Sequence, residues 1–132
     1  MIDVRVQAAD FDPGRQLARL GDLRQKAVAS LVARLDADDA VTAILIDHYP
    51  PLAKVELARI AAEADSRWPL AGIILIHRHG PLQPRDRILF AGAAAAEVDA
   101  AEQACAFLVA SMRRRAPFWR KDILADGTAR WR

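Results

Sequence analysis

The sequence predicts a single α+β domain spanning residues 1–132. Short segments with the two-residue period of strands are interspersed with two long segments that have a helical period. Turn signals rich in proline and glycine separate these segments, and the chain contains no repeat or linker. With 132 residues, 53% of them hydrophobic, the chain can build one core but not two domains of ordinary size. The short turns favour strands that pair in an antiparallel manner.

The first third of the chain predicts three strands and one short helix. Hydrophobic and polar residues alternate over residues 2–7, which is the pattern of a half-buried strand. Asp12 followed by Pro13 predicts the start of a helix, because proline is favoured at the first helical position. Two apolar runs, residues 27–35 and 41–47, predict two further strands joined by an acidic turn.

The middle of the chain predicts an amphipathic helix followed by two strands. The helix follows Pro51 and ends before Pro69, with Leu57 and Ile60 on its apolar face. Its other face carries Glu56, Arg59, Glu63 and Arg67, which we expect to be solvent-exposed. Residues 72–79 and 87–95 predict the two strands, separated by a turn rich in proline and glycine.

The last helix is predicted to precede an extended C-terminal segment. Asp99 and Glu102 have the spacing of a capping box at the start of this helix. Pro117 ends the helix and leaves residues 118–121 extended. The single cysteine, Cys105, lies on the apolar face of the helix, which predicts a buried small side chain and not a reactive thiol.

Composition excludes several classes of protein. No apolar run reaches the roughly 18 residues that a membrane-spanning helix requires, and the N-terminus lacks the apolar segment of a secretory signal. A lone cysteine excludes an internal disulfide and a cysteine-based zinc site. We therefore expect a soluble, cytoplasmic protein without a membrane partner.

A dense basic cluster, with no acidic residue among its members, lies near the C-terminus. Its cations are Arg113, Arg114, Arg115, Arg120 and Lys121. Such a cluster attracts anions, although a solvated helix end would look the same in the sequence. Nucleic acid is a weaker interpretation, because the net charge is only +2. Lys121 is the candidate for proton transfer, and its side chain points away from that of Arg120 if the segment is extended.

The spacing of the histidines permits a metal site, but a further ligand is missing. His77 and His79 share a strand face, and His48 could join them, but no further ligand follows nearby. We therefore expect neither a metal nor a cofactor.

Several motifs resemble those of one known family, the large catalytic subunit of molybdopterin synthase (the MoaE family). They cover roughly residues 41–131 in the order and spacing of that family. The matching motifs are His48-Tyr49-Pro50, Arg67-Trp68-Pro69-Leu70, Ile76-His77-Arg78-His79-Gly80 and Arg115-Ala116-Pro117-Phe118-Trp119.

The resemblance implies an α/β hammerhead-type fold with two main helices and antiparallel strands, assembled as a homodimer. It also implies a partner, a small ubiquitin-like sulfur carrier whose C-terminal Gly-Gly ends in a thiocarboxylate. The implied reaction transfers sulfur from this partner to cyclic pyranopterin monophosphate, forming the dithiolene of molybdopterin.

The resemblance also assigns the site residues. The family typically carries lysine at the positions of Arg113 and Arg120, so these two residues and Lys121 are the predicted catalytic residues. The predicted substrate-binding residues are Arg34, Arg113, Arg115, Arg120, Lys121 and Asp122.

Two departures leave an alternative open. Arginine replaces both family lysines, and Glu97-Val98 stands where the family has a His-Arg pair. The alternative is a paralogue that keeps the fold and the partner but has lost catalysis, acting as a scaffold or regulatory subunit.

Overall fold

Three helices and eight strands make up the fold, in a computed structural model that describes residues 1–132. In chain order the elements are β1 (Ile2–Gln7), α1 (Pro13–Gly21), β2 (Ala27–Arg34), β3 (Val41–His48), α2 (Pro50–Arg67), β4 (Leu70–Arg78), β5 (Gly80–Leu82), β6 (Arg87–Ala95), α3 (Val98–Arg115), β7 (Phe118–Leu124) and β8 (Ala129–Trp131). The two long helices, α2 and α3, have 18 residues each. The predicted α+β class with two main helices is confirmed.

The strands form two sheets of four strands each. The first sheet has the order β1-β4-β6-β2, and the second has the order β5-β3-β7-β8. Every pairing is antiparallel except that of β1 with β4, which is parallel. Four elements separate β1 from β4 along the chain, and a connection of that length can bring two strands side by side in the same direction. The expectation of antiparallel strands is wrong at this one pairing.

The two faces of the first sheet bury different sets of side chains. On one face, Ile74, Ile76 and Phe90 pack against Leu20 of α1. On the other face, Ile73 and Leu75 join the larger core with residues of α2, α3 and the second sheet. The alternation along β4 explains this division, because successive side chains of a strand point to opposite faces. His77 continues the series of Ile73 and Leu75, so it points towards the larger core.

The predicted acidic turn after β2 leads into a different sheet. β2 pairs with β6 in the first sheet, whereas β3 pairs with β5 and β7 in the second. Both strands were predicted at these positions, but they do not form a hairpin with each other. The loop at residues 35–40 instead carries the chain between the sheets, which hydrophobic periodicity alone does not reveal.

The helix starts show one confirmed cap and one wrong prediction. The Asp12 carboxylate accepts hydrogen bonds from the backbone N–H groups of Gly14 and Arg15, at 2.9 and 3.4 Å, as expected of an N-cap. In α3 the N-cap is Glu97, whose side chain makes no capping hydrogen bond. Asp99 therefore lies inside the first turn, where its charge faces the positive end of the helix dipole.

None of the three helices has the length and apolar character that crossing a membrane requires.

The extended segment predicted at residues 118–121 is the beginning of β7, which pairs with β3. Sequence analysis missed the short strands β5 and β8 at the edges of this sheet. Gly80, with φ of +93°, provides the turn from β4 into β5, a backbone conformation that favours glycine.

Candidate active site

A cavity of about 330 Å³ lies where the C-terminal end of α3 meets β7 and the two sheets. Its wall is mostly apolar and includes Ile46, Leu89 and Met112. Three basic side chains interrupt this apolar wall, and they are His77, Arg113 and Arg120. No carboxylate lines the cavity. An apolar wall with a few convergent polar groups is the usual composition of a ligand site, and here these groups are suited to an anion.

Arg113 is an unpaired cation at this cavity. It lies in the last turn of α3 and is exposed, and its side chain makes no ion pair or hydrogen bond within the chain. The negative end of the helix dipole favours a cation at this position. Its guanidinium group is therefore free to bind an anion in the cavity, in two parallel hydrogen bonds where the geometry allows.

Arg120, in contrast, is held in place by the protein. Its Nε donates to Oδ1 of Asp122 at 2.8 Å, and its Nη2 donates to the backbone carbonyl of Asp36. Asp122 is fully buried and also accepts a hydrogen bond from Arg132 at 3.3 Å. Arg120 therefore reaches the cavity as a pre-oriented cation, with little side-chain freedom left to lose on binding.

The Asp122 carboxylate is charged although it is buried. Burial alone would raise the pKa of Asp122, but the hydrogen bond and charge of Arg120, together with those of Arg132, outweigh burial and lower it. Asp122 belongs to the predicted substrate-binding residues. In the structure its partners are arginines of the chain itself, and it does not line the cavity.

Lys121 lies on the opposite face of β7 from Arg120. Its Nζ is 5.4 Å from the centre of the Trp131 ring, on the neighbouring strand β8. It does not line the cavity. Within one chain, the structure thus brings Arg113 and Arg120 together and leaves Lys121 apart from them.

Arg115 and Arg34 also lie outside the cavity. Arg115 joins α3 to α2: its Nη1 donates to Glu63 at 2.6 Å, and its Nε donates to Glu56 at 3.0 Å. The hydrogen bonds that Arg115 donates to Glu63 and then to Glu56 raise the pKa of Arg115, and its guanidinium lowers the pKa of Glu63. Arg34 is exposed at the end of β2. The expectation that Glu56 and Glu63 merely face solvent is wrong, since both bind α3.

The three histidines of the chain form one cluster with Phe118, in which His77 and His48 stack on Phe118 and His79 lies against His48. The His77 ring stacks on that of Phe118 with 3.7 Å between centroids, and the His48 and His79 rings are 4.0 Å apart. No group of three histidine, cysteine or acidic side chains is arranged to hold a metal ion. The sequence predicted His77 as a possible metal ligand only, and its place in the cavity was not predicted. The two-residue period of β4 was the signal that could have found it, because it places residue 77 on the core side.

Cys105 is buried, as predicted. Its thiol points to the carbonyl oxygen of Ala91 at 3.7 Å, and burial raises its pKa. A thiol in this state is mostly protonated near neutral pH and is a poor nucleophile.

Comparison with known proteins places the chain in one family. Residues 6–115 match the family described as MoaE protein. The molybdopterin synthase catalytic subunit of Mesorhizobium japonicum is 42% identical over 128 residues, covering 95% of this chain and 80% of the relative.

Solved structures agree with this placement. The molybdopterin biosynthesis MoaE protein of Burkholderia ambifaria superposes with a TM-score of 0.85 at 34% identity, covering 99% of this chain and 88% of the other. A complex of subunits 1 and 2 of molybdopterin-converting factor from Helicobacter pylori contains a chain with the same fold, at a TM-score of 0.73 and 15% identity, covering 98% of this chain and 88% of that one. The chain belongs to the MoaE family, the family of molybdopterin synthase catalytic subunits.

Proposed function

We propose that this protein is the catalytic subunit of a molybdopterin synthase. It would transfer sulfur from the thiocarboxylated C-terminus of a small ubiquitin-like subunit to cyclic pyranopterin monophosphate, forming the molybdopterin dithiolene. The observation that carries the proposal is the cavity at the end of α3, where Arg113 and Arg120 converge without any carboxylate. Family membership supports the reaction class. The two arginines at the cavity support the binding of anionic reactants there.

Both reactants are anions, which explains the two arginines. A substrate phosphate and a thiocarboxylate each offer oxygen or sulfur acceptors that a guanidinium group can bind in two parallel hydrogen bonds. Arg120 is held by Asp122 and the carbonyl of Asp36, so it stabilises negative charge without reorganising during the reaction. Arg113 is free to follow the anion as charge moves from the carrier to the pterin.

The size and wall of the cavity fit a narrow tail. About 330 Å³ is at the small end of the range for ligand sites, roughly 300–1,000 Å³. An extended Gly-Gly segment has no side chains to accommodate, and the apolar residues around Met112 and Phe118 exclude water from its end. We propose a small subunit of this kind as the partner, and the cytoplasm stays the predicted compartment.

We also propose a homodimer. An apolar groove between β2 and α3 is lined by Leu31, Ala106 and Val109, and the Leu31 side chain is exposed. A twofold axis through the groove would bury this apolar strip of each copy against the same strip of the second copy.

A single-turnover assay tests the proposed function. Purified protein is mixed with thiocarboxylated small subunit and cyclic pyranopterin monophosphate, and molybdopterin is followed as its fluorescent oxidised derivative. We expect Arg113→Ala and Arg120→Ala each to slow product formation by about a hundredfold or more, the loss typical of removing one group that stabilises developing negative charge. Arg114→Ala is the matched control, because Arg114 is a neighbour of Arg113 on the same helix and does not line the cavity.

The same assay decides between the remaining interpretations. A stable complex with the small subunit but no product from the wild-type protein would support the paralogue that has lost catalysis. An unchanged rate in both arginine variants would contradict the assignment of the cavity. The role of Lys121 stays a prediction: proton transfer by this residue requires that Lys121→Ala lose activity as severely as Arg120→Ala does.

A further inference from the structure

Only one of the basic side chains that line the cavity can act as a base. Arginine side chains do not serve as bases in proteins, which excludes Arg113 and Arg120. Lys121 lies on the other face of β7, and Cys105 lines a different groove. His77 remains, and it lines the cavity together with the two arginines.

Two contacts hold the His77 ring: a hydrogen bond at its Nδ1 edge and stacking on one of its faces. Nδ1 lies 2.8 Å from the carbonyl oxygen of Arg78, and a carbonyl oxygen can only accept a hydrogen bond. The neutral ring therefore carries its proton on Nδ1 and a lone pair on Nε2. One face of the ring stacks on Phe118 at an interplanar angle of 8°. A ring held in this way can gain or lose a proton at Nε2 without moving.

The surroundings of His77 keep it neutral while the cavity is empty. Burial lowers its pKa to about 4, and the nearby rings of His48 and His79 act in the same direction. The charged side chains that α3 and β7 contribute to the cavity wall are Arg113 and Arg120, and both are positive. The residues paired with His77 on β6 and β1 are Leu89 and Val6, which are apolar. Every charged or titratable side chain that lines the cavity is thus a base, and the carboxylate of Asp122 behind Arg120 is bound by Arg120 and Arg132.

We propose that His77 is the proton-accepting residue of this cavity, taking up a proton at Nε2 when an anion is bound between Arg113 and Arg120. The identity of that anion, a phosphate or a thiocarboxylate, rests on the proposed function, whereas the coupling of anion and proton does not. An anion introduces the negative charge that the empty cavity lacks and so favours the charged imidazolium. One N–H bond forms at Nε2, and the bond that held this proton in the donor, hydronium or the bound reactant, breaks and leaves its electron pair on the donor atom; no bond between heavy atoms changes.

The coupling can be measured directly on the wild-type protein. The three histidine rings are followed by NMR across pH, with sulfate as the probe because it stays a dianion throughout the titration. We expect the pKa of His77 to rise by at least one unit in sulfate relative to chloride at equal ionic strength. Arg113→Gln with Arg120→Gln should abolish this rise. An unchanged pKa of His77 in sulfate overturns the proposal, and this arm requires no His77 variant to fold.

The single-turnover assay provides a second arm. Loss of a general acid or base typically costs about a hundredfold in rate, which is the loss we expect for His77→Gln. The dependence of the rate on pH that belongs to His77 should also disappear. Equal rates and equal pH profiles for His77→Gln and wild type would contradict the role of His77 while leaving the proposed function intact. Absence of product in the wild type would contradict the proposed function and leave the sulfate titration to decide the proton coupling.

Discussion

The two faces of β7 treat their charged residues in opposite ways. The inner face carries Arg120 and the fully buried Asp122, joined by a 2.8 Å hydrogen bond and surrounded by further arginines. The outer face carries Lys121, whose one defined neighbour is the ring of Trp131 on β8. Hydrogen bonds therefore fix the side chains of Arg120 and Asp122, whereas no hydrogen bond fixes the side chain of Lys121 between them. Membership of a basic cluster in the sequence therefore does not decide which cation belongs to a site.

Partner geometry explains the difference. Asp122 pairs in register with Ile44 of β3, so its carboxylate points into the core and must be neutralised there. Arg120 and Arg132 supply that neutralisation, and the same contacts orient Arg120. Lys121 pairs with Leu45 and Trp131 on the outer face, where solvent competes for its charge.

The largest expected effect comes from removing the carboxylate of the inner face. Asp122→Ala leaves Arg120 and Arg132 without their buried partner, and breaking a buried ion pair in this way costs about 3–5 kcal/mol of unfolding free energy. Urea denaturation of both proteins measures the loss.

Two further variants serve as controls for Asp122→Ala. Asp122→Asn keeps the volume and should still lose most of the stability if charge is the cause. Asp38→Ala removes an exposed carboxylate that binds Arg130 in the same network, and it should change stability far less. Equal losses for Asp38→Ala and Asp122→Ala would contradict the contrast between buried and exposed partners.

The second-largest expected effect is a loss of stability in acid. It is caused by His77, which is buried against Phe118 on the inner face of β7. Burial lowers the pKa of His77 to about 4 from its usual 6.5, so between these values the unfolded chain binds a proton that the folded chain does not. Stability therefore falls as the pH decreases from 6.5 to about 4 and is not reduced further by His77 below that. Each pKa unit corresponds to about 1.4 kcal/mol, so the complete loss is about 3 kcal/mol.

Urea denaturation between pH 7 and pH 4 measures this loss. His77→Gln should remove most of the dependence on pH within the window. The aspartates with lowered pKa values act mainly below the window, because their ordinary values are already near 4. Burial also lowers the pKa of His79, and less strongly than that of His77, so His79 adds a smaller part within the window. A His77→Gln protein with the same slope between pH 6.5 and pH 4 as the wild type would show that another group is responsible.

Most of the fold follows from the sequence because periodicity and turn residues act locally. The alternation in β1, the cap at Asp12 and the apolar face of α2 each predict an element that the structure contains. The strand pairing could not be predicted in the same way. Whether β2 pairs with β3 or with β6 depends on contacts between segments far apart in the chain.

The site divides along the same line. The sequence identifies Arg113 and Arg120 through the basic cluster and the family resemblance, and both line the cavity. Arg115 belongs to the same cluster, but its partners Glu56 and Glu63 lie more than fifty residues earlier, so its role as a link between α2 and α3 emerges only in three dimensions. The family resemblance gave both Arg120 and Lys121 site roles, and the extended backbone separated their side chains onto two faces. Only the packing of β7 on β3 shows which face is inside.

The smallest effect is expected on the outer face. Lys121→Ala removes a cation whose Nζ lies 5.4 Å from the centre of the Trp131 ring, an arrangement worth about 0.5–1 kcal/mol at an exposed site. A double-mutant cycle with Trp131→Ala, measured by urea denaturation, isolates this coupling from the loss of either side chain alone. Trp131 is itself 59% exposed, so its own removal should also be mild. A stability loss for Lys121→Ala as large as that for Asp122→Ala would contradict the contrast between the two faces. It would mean that the charge of Lys121 contributes as much to folding as the buried charge of Asp122 does.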